Sequence, residues 1–252
     1  MSLLKKIARI LVSLLFAVSL SLLSLTIVLS LLTSYDNSKA IFTSVYAKAI
    51  GNQVTPEQIE ETYNSLSLYC KERDVVSVPF MNENITINCS EIATTNSTNL
   101  IYLVSEKLFD IFYYKSYGCE FIKCLQEINS AEGAMILFSS TAHAFFNNLI
   151  LIVLLVTALI GAILLLLIET WPERFKSFGL HFLFIGVFFF LMPYLKELVL
   201  EKLPPELAVI GDVLDPVFKI ISSVLLIFLI VGVILAGIWL LMRFFVKKKQ
   251  PK

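Results

Sequence analysis

The chain has 252 residues, of which 57% are hydrophobic and only 16% are charged, and its 20 basic residues balance its 20 acidic residues. This composition lies outside the usual range for a soluble domain. Residues 34–142 contain thirteen acidic and seven basic residues, which slightly favours cationic partners and does not favour nucleic acid.

The apolar residues are concentrated in uncharged stretches, each approaching or exceeding the roughly 20 helical residues that cross a bilayer. They predict transmembrane helices at residues 10–33, 143–168, 177–195 and 217–242. Transmembrane β-strands would alternate apolar and polar residues, whereas these stretches are apolar on every face. The sequence therefore predicts an all-α membrane protein: a four-transmembrane-helix bundle with a mainly helical, disulfide-stabilised extracytoplasmic domain between helices 1 and 2.

Basic residues cluster in three short segments that flank the predicted spans, namely residues 1–9, 169–176 and 243–252. These segments contain ten basic residues and only two acidic ones, Glu169 and Glu173. Lys and Arg beside transmembrane helices stay on the cytoplasmic side, so both termini and the 169–176 loop are predicted to be cytoplasmic. Residues 34–142 and 196–216 are then extracytoplasmic, and the protein is predicted to be a multi-pass protein of the cell membrane.

The first span is predicted to be a signal anchor. Its uncharged run of 24 residues exceeds the roughly 7–15 residues of a signal-peptide core, and no convincing cleavage site follows it. A cleaved signal peptide is the alternative, because the chain begins with the basic residues that such a peptide needs. Small residues recur on one face of this span and predict close helix packing with a partner that the sequence does not identify: Ser13, Ala17, Ser21 and Ser24.

Residues 34–142 combine predicted helices with one extended segment. A capping box with proline at the first helical position predicts a helix from Thr55 to about Lys71. β-branched residues interrupted by Pro79 predict a short, irregular extended ribbon over residues 74–90. A second helix is predicted to begin near Ser97 and to end near Gly118, and another helical stretch follows at 119–125.

All four cysteines lie in this extracytoplasmic segment, at Cys70, Cys89, Cys119 and Cys124. An even number of cysteines restricted to the oxidising side predicts two disulfides. Zinc binding is the alternative, and it is weakened because no C-x-x-C motif and no nearby histidine is present. Three pairings are possible, and proximity in sequence favours Cys70–Cys89 with Cys119–Cys124.

Three glycosylation sequons occur in the same segment, at Asn84, Asn88 and Asn96. The segment is rich in Asn, Ser and Thr, so about two sequons would arise by chance. They are possible glycosylation sites, and they give only weak support for exposure.

The later spans carry further signals for packing and for membrane boundaries. Pro193 is predicted to kink the third span near its outer end. Gly232 and Ala236 repeat the small-residue spacing in the fourth span. Trp171 and Trp239 fall at the predicted inner boundary, where they are expected to act as interfacial anchors.

The sequence contains no recognisable catalytic, metal-binding or nucleotide-binding motif, so neither an enzyme nor a cofactor is expected. No charged residue lies within the predicted spans between their interfacial ends, although such residues usually mark ion pathways. The first hypothesis is a non-enzymatic membrane protein whose extracytoplasmic domain binds a partner or supports assembly of an envelope complex. The alternative is a homo-oligomeric pore or gated channel, and a third hypothesis is an accessory to a membrane enzyme. The expected partners are the lipid bilayer and either another protein or a second copy of the chain.

Overall fold

A computed structural model of the protein describes residues 3–51, 54–80, 83–126, 135–191 and 208–247. Several predictions fall on residues outside these ranges: the kink at Pro193, most of the 196–216 loop, and the tail bases Lys248, Lys249 and Lys252.

Most of the described elements are helices. In chain order the elements are α1 (Leu3–Leu32), α2 (Tyr35–Gly51), α3 (Pro56–Tyr69), β1 (Val75–Phe80), β2 (Glu83–Asn88), α4 (Cys89–Thr94), α5 (Ser97–Tyr114), α6 (Phe121–Gln126), a 3₁₀ turn (Met135–Phe138), α7 (Ser140–Leu167), α8 (Trp171–Phe190) and α9 (Ala208–Lys247).

The chain forms two compact units. The first, which we call the helical unit, comprises Met1–Leu31, Ala144–Lys202 and Phe218–Lys252. The second, which we call the disulfide unit, comprises Leu32–His143 and Leu203–Val217.

Three described helices are long and apolar enough to cross a membrane, namely α1, α7 and the Asp215–Phe245 part of α9. Large apolar side chains are exposed along them, as expected for helices that face lipid. This identifies the chain as a membrane protein. Helix α8 carries Glu173, Arg174 and Lys176 in its first two turns and is not one of the three, so the fourth span stays a prediction.

Helices α8 and α9 cross closely at two glycines. A Cβ added to Gly186 would lie 2.7 Å from the backbone of Leu229, and one added to Gly232 would lie 2.6 Å from the backbone nitrogen of Leu183. Leu183 of α8 lies beside Gly232 of α9, and Gly186, further along α8, lies beside Leu229, which comes earlier on α9. The two helices therefore run antiparallel. Hydrogen in place of a side chain lets the backbones approach, which is how helices gain packing energy in lipid.

The disulfide unit has an apolar core built around α5. The buried core residues come from α2, β2, α4 and α5: Phe42, Ile85, Ile87, Ile92, Leu108, Phe109, Phe112 and Tyr113. Two tyrosines tie the segment that follows α1 to this helix. The Tyr113 hydroxyl donates to the Thr33 carbonyl at 3.3 Å, and the Tyr35 hydroxyl donates to Asp110 at 2.6 Å, a bond that raises the pKa of Tyr35.

Strands β1 and β2 form a two-stranded antiparallel sheet in which Val75 pairs with Asn88 and Phe80 with Glu83. The extended segment is therefore a regular hairpin rather than the irregular ribbon expected. Side chains alternate between the faces of a strand, so β2 buries Ile85 and Ile87 in the core and turns its other face outward.

Helix boundaries agree with the sequence at the start of α3 and of α5 and differ at the end of α5. The Thr55 hydroxyl accepts from the Gln58 backbone N–H, and the Gln58 side chain accepts from the Thr55 backbone N–H, which confirms the predicted capping box. Helix α5 ends at Tyr114 instead of near Gly118, because the backbone leaves the helical region at Lys115 (φ −59°, ψ 129°).

Both predicted disulfides are present, and they join Cys70 to Cys89 and Cys119 to Cys124. The first connects the end of α3 to the start of α4. In the loop-entropy account, separations of 19 and 5 residues correspond to about 3 and about 2 kcal/mol of stabilisation. The Cys70–Cys89 bond, which closes the longer loop, is therefore expected to stabilise the disulfide unit more than the Cys119–Cys124 bond.

We predict opposite effects for two alanine substitutions in α9. Gly232→Ala should destabilise the helical unit by about 1–3 kcal/mol through overpacking against Leu183. Gly237→Ala is the matched control, because a Cβ at Gly237 meets nothing within 4 Å. The control should be neutral or slightly stabilising, since alanine favours the helix. Thermal unfolding in detergent measures both, and equal stabilities would contradict the packing account.

Candidate functional site

Among the described residues, no group of three or more His, Cys, Asp or Glu side chains could hold a metal ion. In the same part of the chain, no buried side-chain nitrogen or oxygen lacks a hydrogen-bond partner. The most distinctive polar contacts are ion pairs and a hydrogen bond between side chains, and they connect α1 to the N-terminal end of α8 within the helical unit.

We call this arrangement the polar ladder. It consists of three pairs of side chains, which are Lys5 with Glu169, Arg9 with Glu173 at 3.2 Å, and Ser13 with His181 at 3.0 Å. Side chains four residues apart lie above one another on a helix, which accounts for the alignment of Lys5, Arg9 and Ser13 on α1. On the other side, Glu173 and His181 are two turns apart on α8, and Glu169 lies two residues before that helix begins. Residues further along α1 pair with residues further along α8, so the two helices run parallel.

Electrostatics and hydrogen bonds fix the ladder at its two ends. The ammonium of Lys5 hydrogen-bonds Glu169 and holds the pKa of that carboxyl below its ordinary value. At the other end, the His181 ring contacts the Ser177 carbonyl through Nδ1 and Ser13 through Nε2. The histidine is therefore held from both sides.

A buried phenylalanine connects this region to α7. The ring of Phe16 lies 4.9 Å from Phe178 and 5.4 Å from the His181 ring, measured between centroids. Its edge would lie 3.1 Å from a Cβ at Gly161 of α7. Gly161 thus makes room for the ring, and Phe16 packs α1 against both α7 and α8.

Beyond the polar ladder, α1 and α8 line an open groove with a volume of about 1390 Å³. We call it the α1–α8 groove. The small side chains of Ser13, Ala17 and Ser21 continue the four-residue spacing of the ladder along α1, and Leu180 and Phe184 contribute from α8. Of the packing face predicted for the first span, Ser24 alone is buried, at 1% exposure, and it does not line the groove.

The other predicted packing residues lie at the crossing of α8 and α9. Gly232 meets Leu183, and the backbone nitrogen of Ala236 would lie 3.0 Å from a Cβ at Gly179. These contacts are within the chain, so this small-residue spacing serves intramolecular packing.

Both tryptophans contact basic side chains. The Arg174 guanidinium lies 4.7 Å from the Trp171 ring centre. Trp239 has Lys176 of α8 at 5.6 Å and Arg243 of its own helix at 5.8 Å. Cation–π contacts of this kind suit the headgroup level of a membrane, where charged and amphipathic groups meet.

The disulfide unit displays the predicted sequons and an apolar patch. Asn84, Asn88 and Asn96 are exposed, and glycosylation of them stays a prediction. Three exposed large apolar side chains belong to the two chain segments that the Cys70–Cys89 bond joins. Two of them directly precede Cys70 in the sequence, and the third is on the β1 residue that pairs with the residue before Cys89. They are Leu68, Tyr69 and Val75, with 64%, 63% and 42% of their surfaces exposed, and we call them the disulfide patch.

Sequence reasoning missed the polar ladder. It counted Glu169 and Glu173 only as exceptions to a basic side, and it assigned no partner to His181. The signal was the four-residue spacing of polar residues at 5, 9 and 13 and at 169, 173, 177 and 181. No protein-family model matches the chain, and neither a curated protein nor a solved structure matches it.

We predict that Ser13→Ala weakens the contact between α1 and α8, whereas Ser21→Ala does not. The substitution removes the Ser13 hydroxyl, which lies 3.0 Å from Nε2 of His181 across the helices, and keeps the Ser13 backbone carbonyl at 3.1 Å from the same nitrogen. The Ser21 hydroxyl donates to the Ala17 carbonyl of its own helix. The expected loss is about 0.6 kcal/mol, the average for side-chain hydrogen bonds between membrane helices. Thermal unfolding in detergent, followed by tryptophan fluorescence, should separate the two variants, and indistinguishable curves would refute the assignment.

Proposed function

We propose that the chain is a non-enzymatic, membrane-anchored binding protein with four transmembrane helices and both termini in the cytoplasm. The domain at residues 34–142 lies outside, where it binds a protein partner or a second copy and supports assembly of an envelope complex. The observation that carries the binding role is the disulfide patch on a crosslinked domain with its own core.

The patch has the composition of an interaction surface. The centre of a protein interface is more apolar than its rim and is enriched in aromatic side chains, of which Tyr69 is one. The disulfide between Cys70 and Cys89 restrains both chain segments that present it. A restrained surface loses less conformational entropy on binding.

The polar side chains of the spans favour a binding protein over a pore. Thr157 of α7 donates to the Ser19 carbonyl of α1 at 3.3 Å, and Ser30 contacts Asn147 at 3.4 Å. Groups that could line a polar channel are thus engaged in contacts between helices of the same chain.

Contacts at one end of the helical unit support the proposed topology. The polar ladder brings the N-terminal end of α1 to that of α8, and Trp239 brings the C-terminal end of α9 to Lys176. The described parts of the three basic flanks therefore lie at one end, as the positive-inside rule requires if all three are cytoplasmic. The antiparallel packing of α8 against α9 also supports α8 as the fourth span.

We predict opposite labelling of two introduced cysteines in intact cells. The four native cysteines are all in disulfides, so they contribute no free thiol. Asn99→Cys, on the exposed surface of α5, should react with a membrane-impermeant maleimide. Lys6→Cys should react only after the cells are opened. The reverse pattern would overturn the orientation without affecting the fold.

We predict that a photo-crosslinking amino acid at position 69 captures a protein in living cells. The same group at Glu61, exposed eight residues earlier on α3, is the matched control and should capture far less. An adduct with a defined second protein, or with another copy of the chain, would support the binding role. If position 69 yields no more adduct than position 61, the patch is not a binding surface.

A further inference from the structure

The α1–α8 groove is polar at one end and apolar along the rest. Three residues of the polar ladder, Arg9, Ser13 and His181, line its polar end together with Ser177. From Leu14 to Leu25 the lining on α1 is apolar except for Ser21, and that hydroxyl already donates to a carbonyl of its own helix. A ligand for this groove therefore has one polar end and a long apolar body.

The apolar part has the length of one membrane leaflet. The eleven-residue step from Leu14 to Leu25 rises about 17 Å along the helix axis, and half of the roughly 30 Å hydrocarbon core is about 15 Å. A transmembrane helix would cross both leaflets and has no need of a polar mouth. The groove also exceeds the roughly 300–1,000 Å³ typical of sites for drug-sized ligands.

The polar end is positively charged. At this end of α1 and α8, the described residues include five basic side chains and two acidic ones: Lys5, Lys6, Arg9, Arg174 and Lys176 against Glu169 and Glu173. Arg9 contacts Glu173 through one terminal nitrogen, and a guanidinium offers five N–H donors in all. The polar end of the α1–α8 groove therefore has the charge to bind an anionic headgroup.

We infer that the α1–α8 groove binds an anionic phospholipid from the leaflet next to the polar ladder. Its phosphate lies at Arg9, and its acyl chains lie between α1 and α8 along the Leu14–Leu25 stretch. The small side chains of Ala17 and Ser21 form the floor, and Phe184 and Val187 of α8 line the opposite side. This inference does not depend on the binding role proposed for the extracytoplasmic domain.

Tryptophan quenching by brominated lipids tests the inference on the full chain in vesicles. Trp171 and Trp239 are first replaced by phenylalanine, and a single reporter is placed in the groove by Leu22→Trp. The control reporter is Ile230→Trp on α9, an exposed position outside the groove. It lies thirteen residues from Arg243, as Leu22 lies thirteen residues from Arg9. Mixtures in which either phosphatidylglycerol or phosphatidylcholine is brominated then give the relative occupancy at each reporter.

The expected preference for phosphatidylglycerol at the groove reporter is about fivefold, the factor that corresponds to about 1 kcal/mol per basic residue near anionic lipid. The control reporter should show almost none. Arg9→Gln should abolish the preference, whereas Arg243→Gln, at the same end but outside the groove, should leave it unchanged.

A further variant separates lipid recognition from loss of the ion pair. Arg9→Gln and Glu173→Gln both break the Arg9–Glu173 contact, but the second frees Arg9 and should keep or raise the preference. Equal loss in both variants would overturn the inference, and so would equal preference at the two reporters. A groove reporter that no lipid quenches would show that protein fills the groove, which also overturns it.

Discussion

A charged side chain at the centre of a bilayer costs at least about 2.5–3.5 kcal/mol, and this cost explains where the charges of the helical unit lie. From Ile10 to Leu32, α1 carries none. Lys5 and Arg9, before that stretch, are paired with one acid that precedes α8 and one in its first turn. These ion pairs at the end of the helical unit fix the position of α1 relative to α8 without placing a charge in the hydrocarbon core. The helices between the ends then depend on close packing and on a few neutral hydrogen bonds.

The two units are stabilised by different physical effects. The disulfide unit buries phenylalanine and isoleucine side chains around α5, as a domain in water does. In the helical unit, large apolar side chains point outward and the smallest residues, such as Gly186 and Gly232, mark the closest helix contact. Lipid is as apolar as leucine, so packing at short distance replaces burial as the attraction between helices. Large apolar side chains are therefore buried in the disulfide unit and exposed in the helical unit.

Local signals in the sequence were sufficient for local structure. The capping box at Thr55 and the cysteine spacing predicted the start of α3 and the two disulfides, because each depends on residues close in the chain. The hairpin was only partly predicted, since Pro79 obscured a strand pairing that the alternation at Ile85 and Ile87 would have indicated. Helix α2 was not predicted, and its mixed sequence has no strong apolar face.

Contacts between distant residues could not be predicted in the same way. The polar ladder joins residues 164 to 168 positions apart, and the spacing on either helix alone does not reveal its partner. The small residues of α1 illustrate the same limit. Their spacing predicted a packing face, but only the fold shows that Ser24 is buried while Ala17 and Ser21 line an open groove.

The contrast between two small-residue stripes bears on what the groove contains. At Gly232 the space left by the missing side chain is filled by Leu183 of the same chain. At Ala17 and Ser21 none of the side chains that the structure describes closes the space, and an opening of about 1390 Å³ lies between α1 and α8. An empty gap would forfeit the dispersion contacts of every side chain that lines it, and water is a poor filling for an apolar surface. The molecules that surround a membrane helix are lipids, and the gap has the depth of one leaflet and a basic mouth. A lipid that fills it completes the packing that α1 and α8 begin at the polar ladder.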